Sequence, residues 1–162
     1  MAVDVELSEE KLAQLSLVGT QQVFDLMVSE VPLDPGDWET CEKLNAFDGV
    51  VAMVTFAGDW VGAGMLCFDE HLACVVGGKM LMTEVEQVDA DVLDGVGELA
   101  NMILGNFRES IEPHTGPLTL SIPTVVFGKN FLARAGVHAP WIKRTYTSGE
   151  HSFQVWVSIQ AV

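Results

Sequence analysis

Helical periodicity followed by three strand-like runs occurs twice in this chain, and that order leaves few ways to fold it. Ser8 is a candidate N-cap, with Glu9 and Glu10 in the first turn where the helix dipole favours acids. The helical pattern extends to about Ser29, with Leu12, Leu15, Val18, Phe24 and Met27 supplying most of its apolar face. VPLDPGDW then breaks it with two prolines and a glycine. Three strand-like runs follow, CEKLNAF, VVAMVTF and WVGAGMLCF, the last two joined by AGDW as a hairpin. Residues 69–82 predict a shorter helix interrupted by Gly77 and Gly78, and residues 91–108, DVLDGVGELANMILGNFR, a long helix capped by Asp89 or Asp91. The strand pattern returns in PLTLSIPTVVFG, WIKRTYT and SFQVWVSIQA, the last two joined by SGEH. A helix-plus-three-strand unit used twice predicts an α/β two-layer sandwich, with a mostly antiparallel sheet of about six strands and the long helices on one face. Residues 1–162 read as a single domain, since no linker or low-complexity segment divides them.

Charge and composition narrow the function classes. The net charge of −15 argues against direct binding to nucleic acid, which calls for clustered Lys and Arg. Four of the eight basic residues, Lys129, Arg134, Lys143 and Arg144, are close in sequence and could lie on one side. No window holds the ~20 apolar residues of a membrane span, and the acidic N-terminus is unlike a signal peptide, so a cytoplasmic protein is expected. Three cysteines do not suggest a disulfide framework there. Cys67, His71 and Cys74 would share a face if helical, but no second ligand cluster accompanies them; buried structural cysteine is the better reading. No metal site is expected of this chain. VGAGML lacks both the lysine and the spacing of a nucleotide-binding glycine loop. His114 and His138 sit beside Pro and Gly with no evident nucleophile partner and read as surface histidines.

The 91–108 helix carries the strongest functional pattern. With Asp94 at zero on a helical wheel, Glu98 falls near 40°, Asn101 near 340°, Gly105 near 20°, Arg108 near 320° and Glu112 at about 0°. Val92, Val96, Leu99, Ala100, Ile103 and Phe107 lie opposite, which makes the Asp94–Glu98–Asn101–Gly105 line the exposed side. Most such stripes are only solvated helix surface. This one is filled with weak helix formers: each Gly costs roughly 1 kcal/mol relative to Ala in a helix interior, and Asn is also poor. Gly97 and Gly105 flank the Glu98–Asn101 pair, where small residues would leave room for another protein to approach.

Asp94-x-x-x-Glu98-x-x-Asn101, within DGVGELANMILGN, resembles the signature helix of the CheC/CheX/FliY family of chemotaxis phosphatases. SIPTVVFGKNF, Ser121 to Phe131, is similar to the strand that follows this helix in CheX-type members, and the order of elements agrees over nearly the whole chain. The resemblance implies a phosphorylated CheY-like receiver domain as partner and hydrolysis of its aspartyl phosphate. It assigns Asn101 to orienting the attacking water, Glu98 to pairing with a receiver lysine, and Asp94 to the outer motif position at the partner's rim. It implies that the receiver, not this chain, holds the Mg2+ ion. CheC-type members carry a second signature in the first helix, but LAQLSLVGTQQVFDLMVSE has no Glu-x-x-Asn, so one stripe per chain and a CheX-like homodimer are implied. Two other readings stay open at this point: a receiver-binding module without hydrolysis, and a flagellar-switch scaffold whose stripe is only surface.

Overall fold

The computed structural model describes residues 7–162. Helix α1 spans Glu9–Met27, and Ser8 caps it, its hydroxyl accepting a 3.0 Å bond from the Lys11 amide. Its buried side is Leu12, Ala13, Ser16, Gly19, Thr20, Val23 and Phe24. Val18 and Met27, expected on that side, are exposed at 39% and 38%. The shift has a packing cause. Long helix α3 (Ala90–Thr115) crosses α1 where Gly19 lies, and a Cβ there would meet Ile103 O and Phe107 N at 3.6 Å. The inner side of α1 is therefore selected for small residues as well as apolar ones.

The first helix ends before VPLDPGDW as expected, but strand β1 is Asp34–Cys41, which corrects the expectation of a strand at CEKLNAF. It pairs only with β6 (Trp141–Ser148), so Pro35 sits at a sheet edge, where a missing N–H is tolerated; the register is irregular between Pro35 and Trp38. Strands β2 (Phe47–Gly58) and β3 (Trp60–Phe68) form the expected hairpin, closing at the Ala57–Val61 pair. Helix α2, Glu70–Leu81, is capped by Asp69 and runs unbroken through Gly77 and Gly78. Asp89 rather than Asp91 caps α3, accepting from the Val92 amide at 2.9 Å. PLTLSIPTVVFG is not one strand but two, β4 (Leu118–Leu120) and β5 (Thr124–Phe131), both paired with β2. Strand β7, His151–Ala161, follows β6 in a hairpin.

The sheet thus has seven strands where about six were expected, all antiparallel, in the order β1-β6-β7-β3-β2-β4 with β5 also on β2. With β4 set aside, exchanging β1 with β5, β2 with β6 and β3 with β7 reverses this order and leaves the pairing unchanged. The repeated helix-plus-three-strand unit of the sequence is therefore a pseudo-two-fold about the central β3–β7 pair. Between the helices and the sheet lies the main core, in which Phe153 stacks on Phe24, Phe68 and Tyr146 with ring centroids 5.0, 4.9 and 4.9 Å away. A smaller cluster of Phe47, Val51, Met65, Cys67, Trp141 and Trp156 fills the other face.

Lys143 and Arg144 are neighbours on β6 and so point to opposite faces, which corrects the one-sided basic cluster. Lys143 lies over the Trp156 ring and pairs with Glu39 at 3.2 Å. Arg144 is buried beneath α1, donating to Gly36 O at 2.7 Å and Ala13 O at 3.4 Å. No helix among the described residues is long and apolar enough to cross a membrane.

The glycines of α2 and α3 bring these helices into close contact. A Cβ on Gly77 would stand 3.0 Å from Val92 Cγ1 and 3.2 Å from the Val92 backbone, and one on Gly95 3.2 Å from Gly77 O. Gly77→Ala should therefore destabilise the fold by about 1–2 kcal/mol net, overpacking outweighing the gain in helix propensity. Thermal unfolding checks this: the expected outcome is a melting temperature several degrees below wild type, and an unchanged or higher one would show that the helices part without cost.

Candidate functional site

Helix α3 presents the two faces its sequence predicts. Val92, Val96, Leu99, Ala100, Ile103, Leu104 and Phe107 are buried in the main core. On the other side Asp94 and Glu98 are exposed, while Asn101 and Gly105 are half-buried. The stripe divides chemically along its length. Toward its C-terminal end Arg108 approaches Glu112 at 3.7 Å and Glu109 at 3.9 Å, and Glu112 accepts the Leu118 amide at 3.1 Å. These groups are engaged within the fold. Among the described residues none hydrogen-bonds or ion-pairs with the side chains of Asp94, Glu98 or Asn101. That end offers two carboxylates and a carboxamide with their bonding capacity intact.

The three glycines do different things. Gly95 faces α2, as described. Gly97 does not leave space for another protein, which corrects the sequence expectation: this chain fills it. A Cβ there would meet Val125 Cγ2 at 3.2 Å and Pro123 Cγ at 3.6 Å. Gly105 is the open position, its nearest neighbour being Leu120 Cδ2 at 3.9 Å from the Cβ site. Segment 120–125 thus runs along α3 in the opposite direction, with Leu120 beside Gly105 and Pro123 and Val125 beside Gly97. Residues 97, 101 and 105 form one i, i+4 row, so Asn101 is the only side chain on the row that borders this segment.

A shallow groove lies where the helix meets the segment, lined by Ala90, Leu93, Asp94, Gly97, Glu98, Pro123 and Val125. Its apolar lining is Ala90, Leu93, Pro123 and Val125, and its charged groups are both carboxylates. A larger depression between the ends of α1 and α2, lined by Met27, Val28, Val75, Lys79, Met82 and Val85 among others, carries none of the stripe residues. Pro123 and Val125 were not singled out individually by sequence reasoning. They reach the helix only because β5 pairs with β2, a contact between residues about seventy positions apart (Val125 with Ala52).

The cysteine and histidine candidates do not converge. Cys67 belongs to the cluster on the far face of the sheet, and burial pushes its thiol up. Cys74 is buried in α2 on the helical face, while exposed His71 stacks on His151 at 4.0 Å. His138 is exposed and His114 half-buried on the last turn of α3. Among the described residues no group of three His, Cys, Asp or Glu is placed to hold a metal ion.

An antiparallel sheet covered by helices on one face, with an Asp-x-x-x-Glu-x-x-Asn stripe on the long helix, defines a class that comparison with known proteins makes specific. The profile of the family described as chemotaxis phosphatase CheX matches residues 50–143, more than half of the chain and all of α3. The chain belongs to that family. No curated protein matches it. The fold is shared with the chemotaxis protein CheX from Desulfovibrio desulfuricans, at 23% identity and a TM-score of 0.82 over 93% of this chain and 99% of that one. A CheC-like superfamily protein from Shewanella sp. PV-4 gives 23% identity and 0.81 over 99% and 100%. A chain of the CheX-CheY-BeF3-Mg2+ complex from Borrelia burgdorferi gives 19% and 0.77 over 91% and 96%.

The two outer glycines of the row make opposite predictions for stability. Gly105→Ala should stabilise the protein by up to about 1 kcal/mol through helix propensity, raising the melting temperature by roughly 2–4 °C. Gly97→Ala should bring no such gain, because Val125 and Pro123 would have to move. Melting curves of both variants decide it; equal shifts would mean that segment 120–125 yields freely.

Proposed function

We propose that this protein hydrolyses the aspartyl phosphate of a CheY-like receiver domain, with the stripe on α3 as its active surface. The reading rests chiefly on the unengaged Glu98–Asn101 pair in the segment that matches the chemotaxis phosphatase CheX profile. A structural relative from Borrelia burgdorferi comes from a complex with CheY, BeF3 and Mg2+, the kind of partner this reading requires.

In this mechanism the receiver contributes the phosphoaspartate and a Mg2+ ion, which neutralises charge on the phosphoryl oxygens. The present chain contributes geometry. Asn101 enters the partner's site, and its carboxamide holds a water in line with phosphorus by donating one hydrogen bond and accepting another. Because phosphoryl transfer depends mainly on positioning and charge stabilisation, a single oriented water accounts for most of what the phosphatase must add. Glu98, one helical turn away, pairs with a receiver lysine and sets the register in which Asn101 arrives. Asp94 meets the partner's rim. The open Gly105 leaves backbone accessible on the far side of Asn101. The place of action would be the cytoplasm.

Phosphate release from phosphorylated receiver domains tests this directly. Wild type should accelerate hydrolysis well beyond the receiver's own rate, and Asn101→Ala should lower that acceleration by about a hundredfold or more. Glu98→Ala should mainly raise KM, and its effect should shrink at high salt, where an interfacial ion pair is screened. If all three proteins behave alike on every receiver, the phosphatase reading fails. A pull-down with and without beryllium fluoride then separates a phosphorylation-dependent binding module from a switch scaffold, which would bind in either state.

We also propose a homodimer built through a free sheet edge. Among the described residues strand β5 pairs only with β2, and exposed Val126, Phe127 and Leu132 lie on or beside it, a combination that favours strand pairing with a second copy. Sedimentation at micromolar concentration should give twice the monomer mass; a monomer there would exclude this assembly.

A further inference from the structure

The break between β4 and β5 is a defined irregularity with a consequence at the site. Leu120 pairs with Phe56 and Thr124 with Met53, so the outer chain advances four residues while β2 advances three. Ser121 is fixed opposite Thr55: its amide donates to Thr55 O at 2.9 Å, and its hydroxyl accepts from the Thr55 amide at 2.9 Å. Ile122 and Pro123 together therefore stand against Val54. Two residues facing one constitute a β-bulge, a device that turns a side chain out of the regular strand alternation and is common at sheet edges and beside active sites.

Pro123 is packed at the Gly97 position, so the side chain left outside is Ile122, exposed at 86%. Its place along the helix follows from its neighbours. With Leu120 abreast of Gly105 and Pro123 and Val125 abreast of Gly97, the chain between them passes Asn101, the middle residue of that row. An exposed isoleucine is thus held level with the carboxamide. Its backbone is pinned on one side by the paired Ser121–Thr55 bonds and on the other by a proline whose φ is fixed. An apolar side chain held so loses little conformational freedom on docking, which distinguishes it from one on a mobile loop.

We propose that Ile122 is a positioning residue for the phosphorylated receiver, an apolar anchor that docks beside Asn101 while Asp94 and Glu98 face basic groups of the same partner. The inference rests on the phosphatase reading of the α3 stripe and extends it to the identity of the surface recognised. The partner this surface fits carries an apolar patch next to its phosphorylation site and a lysine or arginine beyond it. The groove along Asp94 and Glu98, with Leu93, Pro123 and Val125 as an apolar floor, suits the stem and head of such a basic side chain.

The experiment compares wild type, Ile122→Ser, Ile122→Val and Asn101→Ala on the CheY-type receiver that wild type turns over fastest. Each variant is measured for hydrolysis after charging the receiver with acetyl phosphate, for affinity toward the beryllium fluoride-bound receiver, and for sedimentation and melting temperature. Ile122→Ser should raise KM and the dissociation constant by about tenfold, the scale for withdrawing one apolar side chain from an interface. Its kcat, melting temperature and oligomeric state should stay unchanged, and Ile122→Val should restore most of the affinity. Wild-type binding and KM in Ile122→Ser would overturn the anchor while leaving the phosphatase reading intact, provided Asn101→Ala still abolishes hydrolysis. A change in sedimentation of Ile122→Ser would also overturn it, placing Ile122 in contact with a second copy. If Asn101→Ala hydrolyses like wild type, the phosphatase reading itself falls and this inference with it.

Discussion

Where α2 meets α3, the Cβ position of Gly95 lies 3.2 Å from the carbonyl oxygen of Gly77, and that of Gly77 lies 3.0 Å from Val92 Cγ1. No side chain can be added to either helix there without parting them. Because α3 also crosses α1 at Gly19 and covers β2, β4 and β5, its rotation about its own axis is fixed from several directions at once. That rotation decides which side chains face out. A turn of one residue, about 100°, in the sense that carries Glu98 toward the sheet would bury it and expose part of the Val92–Phe107 face. The exposed stripe is thus a consequence of helix contacts that lie on other sides of α3, and a partner would meet a surface already held in position.

The pseudo-two-fold places α1 and α3 in equivalent positions, yet only α3 presents the motif. One structural difference accompanies this. Beneath α1, Arg144 of β6 is buried and bonds Gly36 O on β1 and Ala13 O on the helix, tying strand to helix. Beneath α3, the equivalent seam with the β4–β5 segment is apolar around Gly97 and Leu120, with a groove at the Gly97 end, and its polar tie, Glu112 accepting the Leu118 amide, lies farther along the helix. Two backbone carbonyls hold the buried guanidinium, which commits the α1 seam to a closed arrangement. At the α3 seam Arg108 is taken up by Glu109 and Glu112, and the carboxylates of Asp94 and Glu98 remain available to a cation from outside.

Periodicity made much of this legible. The core face of α3, the caps at Ser8 and Asp89, and the β2–β3 and β6–β7 hairpins follow from local chemistry, which a single sequence carries in full. What was not legible depended on partners distant in sequence. Pro35 reads as a strand breaker until it is known to lie on an edge strand. Gly77 and Gly78 read as interruptions until α3 is seen against Gly77 and the chain at Thr83 and Val85 against Gly78; a glycine in a pattern does not say whether it bends the chain or admits a neighbour. The same ambiguity affected the α3 glycines. Gly95 and Gly97 are packed against this chain's own Gly77 and Val125, and only Gly105 remains open. The split of PLTLSIPTVVFG was invisible because β-bulges are set by register against a partner strand.

The unengaged carboxylates bear on selectivity more than on strength. Exposed Glu98 is well solvated, and a partner that covers it removes that water. If the partner brings a lysine to the same place, the lost solvation is replaced by a charge-assisted hydrogen bond, and the pair roughly breaks even. If it brings an apolar or acidic group, the carboxylate is buried without compensation, at a cost of several kcal/mol. A surface of this kind therefore gains little affinity from the right partner and rejects the wrong ones strongly, the asymmetry on which specificity depends. The half-buried carboxamide of Asn101 works differently: it carries no charge, both donates and accepts, and can exchange solvent water for one held water at small cost. In the proposed complex, with the charged group one helical turn from the neutral one, discrimination would fall to Glu98 and Asn101 would be left free to hold a water.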